Sequence, residues 1–263
     1  MAGMIDVTID GGVAEIVLNA PGKLNALGAD DLRDLDAAYA EAEAAAAAGD
    51  VRALLLRGEG RGFCAGRDIA GVDPATDDVT GYLDGLVAPL MRRMSCFPAP
   101  TFAAVHGACL GVGLGLAIAT DVVYVGERAK LGSPFANLGA ALDSGGHALF
   151  VERLGAHRAL DLIFTGELMS GAEAVAQGLF SRAVPDDELL EFTRERVGRA
   201  AQGATRAFVA SKRLVAQVRD ERLGLWASMV NESATQAELR DTADYREGFA
   251  AFQQKRTPAF RGR

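Results

Sequence analysis

The spacing of hydrophobic residues changes along the first 60 residues of the chain. From Val7 to Asn19, apolar and polar positions alternate around the turn sequence Asp10-Gly11-Gly12, which predicts a two-stranded hairpin. From about Ala29 to Ala48 the apolar spacing becomes helical, and Gly49 provides a helix stop. A short aliphatic run, Val51 to Arg57, then indicates a buried strand. This succession of strand, helix and strand predicts a layered α/β fold.

The same alternation continues through the middle of the chain. An acidic stretch, 77–84, indicates a loop or the start of a helix, and Leu83 to Cys96 has helical spacing. Further strands are predicted at Thr101 to Val105 and at Val122 to Val125. Two of the predicted strands run directly into glycine-rich loops, Gly58 to Gly66 and His106 to Gly115, and a short helix is predicted at 114–120.

Beyond Gly146 the pattern is mostly helical. The segment from Ser170 to Glu173 has the form of a capping box that opens a helix through Gln177. Further helices are predicted at 187–202, 204–218 and 223–252, the last with a break near Thr242. We therefore predict a main domain over residues 1–200 and a helical region over 201–263. An apolar stripe near Leu225 has two interpretations, intramolecular core or subunit interface.

Composition narrows the functional classes. The chain has 263 residues and a formal charge of −8, which argues against nucleic acid as a partner. No apolar run approaches the ~20 residues of a spanning helix, so no membrane partner is expected. The amino terminus lacks the pattern of a secretion signal, and the odd number of cysteines suits a reducing compartment, so we expect a cytoplasmic protein. The three histidines have no metal-ligand spacing, and no metal is expected.

The two glycine-rich loops are the candidate functional site. Glycine permits sharp turns with outward-facing amides, and amides at a helix start are unpaired donors, so two such loops that converge would form an oxyanion hole. The alternative is that these glycines only permit tight turns. Gly111-Val-Gly113-Leu-Gly115 has the wrong final spacing for a dinucleotide-binding loop. The sequence also has no phosphate-binding loop of the G-x-x-x-x-G-K-[ST] type and no G-x-S-x-G esterase motif.

Motifs across nearly the whole chain resemble those of the crotonase (enoyl-CoA hydratase/isomerase) superfamily. They include Leu18-Asn-Ala-Pro-Gly-Lys-Leu-Asn-Ala-Leu27, Phe63-Cys-Ala-Gly-Arg-Asp68, His106-Gly-Ala-Cys-Leu-Gly-Val-Gly113 with Asp121, and Gly248-Phe-Ala-Ala-Phe-Gln-Gln-Lys255. The resemblance implies an α/β fold built as a spiral of ββα units, with C-terminal helices that mediate trimerisation. It also implies an acyl-CoA thioester as substrate and coenzyme A as part of that substrate, with no permanently bound cofactor.

The resemblance assigns roles to individual residues. The backbone amides of Arg67 and Val112 match the two donors that hold the thioester oxygen. Other positions match the coenzyme A path, namely Lys23, Leu24, Ala65, Gly66, Asp68 and Gly111. Phe252 and Lys255 match residues that close over coenzyme A, on the same or a neighbouring subunit, although an ordinary solvated lysine is the alternative for Lys255. Asp68 is also expected to cap a helix after its loop.

One departure from the pattern bears on the reaction. A hydratase of this superfamily uses two glutamates to orient and split water, whereas the matching positions here are Gly115 and Phe135. Asp143 instead falls where isomerase-like and dehalogenase-like members carry a catalytic aspartate. The alternative is that Asp143 caps the helix beginning near Gly145. Phe135 is a candidate apolar wall that would raise the proton affinity of Asp143 and exclude water.

The resulting expectation is an isomerase that shifts a proton or double bond in an acyl-CoA with the single carboxylate of Asp143. Two alternatives remain open, namely slow hydration by Asp143 with an activated water and a non-catalytic acyl-CoA-binding protein. The resemblance further implies a homotrimer or a dimer of trimers.

Overall fold

The computed structural model describes residues 3–263; Met1 and Ala2, which belong to the amino-terminal segment considered for a secretion signal, lie outside the described residues. The strands are β1 (Ile5–Asp10), β2 (Val13–Leu18), β3 (Ala53–Gly58), β4 (Thr101–Val105), β5 (Ala108–Leu110), β6 (Val122–Gly126), β7 (Lys130–Gly132), β8 (Met169–Ser170) and β9 (Arg182–Val184). The helices are α1 (Ala29–Ala48), α2 (Val79–Tyr82), α3 (Ala88–Ser95), α4 (Val112–Ile118), α5 (Gly146–Leu154), α6 (Ala156–Thr165), α7 (Gly171–Ala176), α8 (Leu189–Ala201), α9 (Thr205–Asp220), α10 (Leu225–Leu239) and α11 (Ala243–Gln253).

The strands form two sheets that the chain visits in turn. The larger sheet has the order β1-β2-β3-β4-β6-β9, in which only the β1–β2 hairpin is antiparallel. The smaller sheet has the order β5-β7-β8. β4 and β6 lie in the larger sheet, and each is followed by a strand of the smaller sheet and then by helix. The predicted spiral of ββα units is therefore confirmed.

The central strands of the larger sheet are buried on both faces. Successive side chains alternate between two apolar clusters, so that Leu54 and Leu56 of β3 lie in one cluster and Leu55 lies in the other. The second cluster is covered by α8, which contributes Leu189 and Val197. Burial on both faces is typical of parallel strands and explains why these segments are continuously apolar.

Several boundaries differ from the sequence-based expectation. The second glycine-rich loop contains strand β5, and its helix begins at Val112 instead of residue 114. The acidic stretch 77–84, expected to be a loop or the start of a helix, contains the start of α2 at Val79, where the Asp78 side chain accepts a hydrogen bond from the Gly81 amide. A π-helical segment, Leu83–Val87, then joins α2 to α3. Strands β7, β8 and β9 were missed because each has only two or three residues, too few to show a period.

The C-terminal helices attach to the core through a few polar anchors. The Lys212 Nζ atom of α9 lies 3.0 Å from an Asp121 carboxylate oxygen and donates to the Phe97 carbonyl oxygen. The Arg52 guanidinium donates to the carbonyl oxygens of Gly203 and Phe260. The predicted helices of this region are confirmed; the division at residue 200 stays a prediction, and these anchors join its two parts.

Candidate active site

A buried asparagine fastens the segment after β2 to the first glycine-rich loop. The Asn25 side chain is fully buried and donates to the carbonyl oxygens of Glu59, Gly62 and Phe63 at 2.8–3.1 Å. Its own Oδ1 accepts from the Ala20 amide at 2.8 Å. Asn25 has φ of 58°, a left-handed conformation that asparagine tolerates better than most residues. The loop that follows β3 is thereby held against residues 20–27.

The two glycine-rich loops meet at Gly66 and Val112, as the oxyanion-hole hypothesis requires. Gly66 has φ of 98°, and a Cβ atom built on it would lie 2.8 Å from the Leu110 carbonyl oxygen and 3.7 Å from the Val112 nitrogen. Only glycine permits this approach. The Leu27 amide donates to the Gly66 carbonyl oxygen, and the Leu27 carbonyl oxygen accepts from the Asp68 amide. The residues before and after Arg67 are therefore both hydrogen-bonded to Leu27.

The amides of Arg67 and Val112 are free to bind a ligand. Across residues 3–263, neither N–H group donates a hydrogen bond to another part of the protein. Val112 is the first residue of α4, where an amide has no intrahelical acceptor and the helix dipole favours negative charge. The preceding Gly111 has φ of 51°, and the Phe135 ring lies over it, 3.0 Å from where a Cβ atom would be. The Phe135 ring thus covers Gly111, the residue before the free Val112 amide.

Asp143 lies on a turn that packs on the same short helix. A Cβ atom built on Gly115 would lie 2.6 Å from Ser144 Cβ, so residue 144 occupies the space above residue 115. The Asp143 carboxylate accepts a hydrogen bond of 2.8 Å from the Ser144 hydroxyl. It does not cap α5, since the N-cap residue is Gly145 and no side-chain capping bond is present there. The capping alternative for Asp143 is therefore wrong.

The environment of Asp143 favours proton uptake. Burial raises the pKa of the Asp143 carboxyl above its ordinary value, while the Ser144 hydrogen bond and the positive charge of Arg67 oppose that rise. A carboxylate with a raised pKa is a stronger base near neutral pH than an exposed aspartate. The site thus combines two free amides with one carboxyl group suited to carrying a proton.

The Arg67 side chain belongs to a second set of contacts that the sequence did not indicate. Its guanidinium forms a two-bond ion pair with Asp77, at 2.5 and 2.8 Å, and lies 4.1 Å from the centroid of the Tyr82 ring. The Tyr82 hydroxyl donates to the Leu27 carbonyl oxygen at 3.0 Å. Asp77 and Tyr82 were missed because they become neighbours of Arg67 only when the 68–82 segment folds back.

Most residues predicted for the coenzyme A path lie together. Ala65 donates its amide to the Leu24 carbonyl oxygen, and Lys23 Nζ lies between carboxylate oxygens of Asp31 and Asp68, at 2.9 and 3.3 Å. The helix-cap prediction for Asp68 is wrong, because turns follow it and its Oδ1 accepts from the Ala70 amide instead. The assignment of these residues to coenzyme A stays a prediction.

Phe252 and Lys255 lie apart from these loops in the single chain. Phe252 is 85% exposed and lines a groove of about 480 Å³ between the C-terminal helices, together with Phe249 and Phe260. Lys255 is exposed and has φ of 55°. Their predicted role in covering coenzyme A stays a prediction.

The cysteine and histidine side chains near the loops are buried or in contact with other parts of the protein. Cys64 and Cys109 are fully buried beside each other, and burial raises the pKa of the Cys64 thiol to about 12. His106 contacts the Gly60 carbonyl oxygen at 2.9 Å. Within residues 3–263, no group of three His, Cys, Asp or Glu side chains is placed to hold a metal ion. No helix in the same span is long and apolar enough to cross a membrane.

Two free amides, one in the first glycine-rich loop and one at the start of α4, together with a half-buried carboxyl group on the turn packed against α4, are the components of an acyl-transfer or enolate-forming type of site. Comparison with known proteins identifies the family. The family model for enoyl-CoA hydratase/isomerase matches residues 8–263. The chain belongs to this family, the crotonase superfamily, whose members act on acyl-CoA thioesters.

Relatives that are named for different activities are about equally similar to this chain. A Rhodobacter capsulatus protein named "probable enoyl-CoA hydratase" is 34% identical over 97% of this chain and 96% of its own length. The Escherichia coli 1,2-epoxyphenylacetyl-CoA isomerase is 32% identical over 97% of both chains. The crystal structure of an enoyl-CoA hydratase subunit I from Geobacillus kaustophilus HTA426 matches with a TM-score of 0.88 and 33% identity, covering 99% of this chain and 98% of its own. Overall similarity therefore fixes the family without choosing the reaction.

Proposed function

We propose that the protein isomerises an unsaturated acyl-CoA by moving one proton with a single carboxyl group. The observation that carries the proposal is the combination of two unpaired amides, Arg67 and Val112, with the half-buried carboxyl group of Asp143. The positions at which the superfamily pattern places two hydratase glutamates hold Gly115 and Phe135, which carry no titratable group.

The proposed reaction begins with the thioester oxygen bound by the two amides. Asp143 takes a proton from the carbon next to the thioester carbonyl, and the electron pair of that C–H bond moves into an enolate held by the amides. The double bond between carbons 3 and 4 then shifts to carbons 2 and 3 as Asp143 returns the proton to carbon 4. Protons and electrons balance, and no second catalytic group is required.

The turn above α4 argues against hydration. A hydratase glutamate at position 115 would need the space in which Ser144 lies, 2.6 Å from the expected Cβ atom. The apolar ring of Phe135 covers the approach beside Gly111. A site with one carboxyl group and an apolar wall favours proton return to carbon over addition of water.

The test of this proposal is a comparison of wild type with Asp143→Asn on 3-hexenoyl-CoA in deuterated water. We expect the wild type to form the 2-enoyl isomer, and carbon 4 should gain deuterium only to the extent that the Asp143 carboxyl group exchanges its proton with solvent before returning it. The variant should lose roughly 10²–10⁴-fold in rate, the contribution of a positioned proton-transfer group. Retention of isomerisation by the variant would remove Asp143 from the mechanism.

Parallel assays separate the alternatives. Net addition of water to 2-hexenoyl-CoA that exceeds isomerisation would favour the hydratase. Tight thioester binding with neither migration of the double bond nor deuterium exchange at carbon 2 would favour a non-catalytic binder. Glu173→Gln is a suitable control, since this exposed carboxylate lies in the capping box of α7 and should not affect the rate.

We further propose that the C-terminal helices assemble the protein into a homotrimer or a dimer of trimers, as the family resemblance implies. Apolar side chains on α10 support this, since Leu225, Trp226 and Val230 are 67–76% exposed in the single chain. Phe252 and Lys255 would then lie near coenzyme A across a subunit boundary. Sedimentation as a monomer would contradict the proposal.

A further inference from the structure

The turn that carries Asp143 has an unusual backbone for its sequence. Ser144 has φ of 51° and Gly145 has φ of 78°, so two successive residues are left-handed. Glycine adopts that conformation readily, whereas a side chain at residue 144 makes it less favourable. The Gly146 amide donates to the Asp143 carbonyl oxygen at 3.0 Å and closes the turn. A glycine at residue 144 would form the same turn with less strain.

Within residues 3–263, the Ser144 side chain makes one polar contact, and that contact is with Asp143. Its hydroxyl donates to Asp143 Oδ1 at 2.8 Å. Across residues 3–263, the other oxygen, Oδ2, accepts no hydrogen bond. The hydroxyl therefore fixes one oxygen of the carboxylate and leaves the second available to a substrate.

The space occupied by the Ser144 side chain exists because residue 115 is glycine. A Cβ atom on Gly115 would lie 2.6 Å from Ser144 Cβ and 2.9 Å from the Ser144 carbonyl oxygen. The missing side chain at residue 115 thus lets the turn descend onto α4, the helix whose first amide is that of Val112. The same contact fixes the turn that carries Asp143 against α4.

We propose that Ser144 is a positioning residue, which orients the Asp143 carboxylate through its hydroxyl and holds it above α4 through its contact with Gly115. This inference rests on the proposed function, because it assigns a purpose to the orientation of the proton-carrying group. Ser144 itself touches no reacting atom.

The charged and titratable groups that act on Asp143 are Arg67, from the first glycine-rich loop, His147, from the first turn of α5, and Tyr82, from α2. Replacement of Ser144 removes none of these three groups. The Ser144 hydrogen bond favours the ionised carboxylate, so its removal raises the pKa of Asp143. Since a base must be ionised to accept a proton, the acid limb of the rate profile should then move to higher pH.

The decisive variant is Ser144→Gly, because it removes the hydroxyl and also relieves the left-handed backbone. We expect its melting temperature to equal or exceed that of wild type. We expect kcat on 3-hexenoyl-CoA to fall roughly tenfold, as for loss of a hydrogen bond to a charged group, with KM little changed. Ser144→Ala should show the same loss of kcat without the gain in stability, and Ser181→Ala, an exposed serine elsewhere, should match wild type.

A titration of the Asp143 carboxyl carbon by ¹³C NMR, assigned with Asp143→Asn, provides a readout that needs no substrate. A higher pKa in Ser144→Gly than in wild type is expected. Wild-type kcat and an unchanged Asp143 titration in this variant would overturn the role of Ser144, even if Asp143→Asn is inactive. Full activity of Asp143→Asn would instead overturn the proposed function, and the titration would still decide whether Ser144 acts on the carboxyl group.

Discussion

The sheet core and the C-terminal helices of this protein are held in place by different means. All five residues of β4 are buried, whereas α9 has sixteen residues and buries only Thr205. Trp226 of α10 is 76% exposed. The core is therefore stabilised by apolar burial, which is non-directional and distributed over many side chains. The helices depend on polar anchors at a few points, and their apolar side chains remain available to another surface.

The largest effect on stability is expected from a cavity in the core beside the helix anchor. Phe97 is 1% exposed and its ring meets Tyr39 edge-on, with centroids 6.1 Å apart. Phe97→Ala should reduce the free energy of unfolding by about 3–5 kcal/mol, measured by chemical denaturation. A loss below about 1 kcal/mol would show that the core tolerates a cavity of this size. It would contradict the view that apolar burial stabilises the core more than polar anchors stabilise the C-terminal helices.

A smaller effect is expected at the anchor of α9. Lys212→Met removes the ion pair with Asp121 and the hydrogen bond to the Phe97 carbonyl oxygen, while Asp121 keeps its bonds from the amide and hydroxyl of Thr101. We expect a loss of about 1.5–3 kcal/mol, the range for hydrogen bonds to charged groups. Lys212→Arg, which keeps the charge, is the matched control. Equal stability of Lys212→Met and wild type would mean that α9 is held by other contacts.

The smallest effect is expected at an exposed ion pair between the C-terminal helices. Arg213 of α9 lies 3.5 Å from Glu238 of α10, and both side chains are more than half exposed. Glu238→Gln should change the free energy of unfolding by less than about 0.5 kcal/mol, since water and salt screen such pairs. A larger loss at low salt that disappears at high salt would show that exposed charges, as well as buried anchors, hold these helices.

The same contrast explains which elements the sequence predicted well. The helix Ala29–Ala48 and the strand Thr101–Val105 have the predicted boundaries, because each is long or apolar enough for its period to be read directly. The short strand β5 was taken for part of a glycine loop, since its three residues acquire strand geometry only by pairing with β7. For the acidic stretch 77–84 the sequence left a loop and a helix start as alternatives, and the structure shows the helix start, capped by Asp78.

The chain's sequence alone determined the α/β class and the pairing of two glycine-rich loops with two strand ends, because these features depend on local spacing and residue type. The choice of Asp143 over any glutamate as the candidate base came from the resemblance of its motifs to the crotonase superfamily. Only the tertiary structure decided that Gly66 and Val112 meet, that Ser144 lies above Gly115, and that Asp77 and Tyr82 hold the Arg67 side chain. Such contacts join residues far apart in the chain, and no local pattern encodes the distance between them.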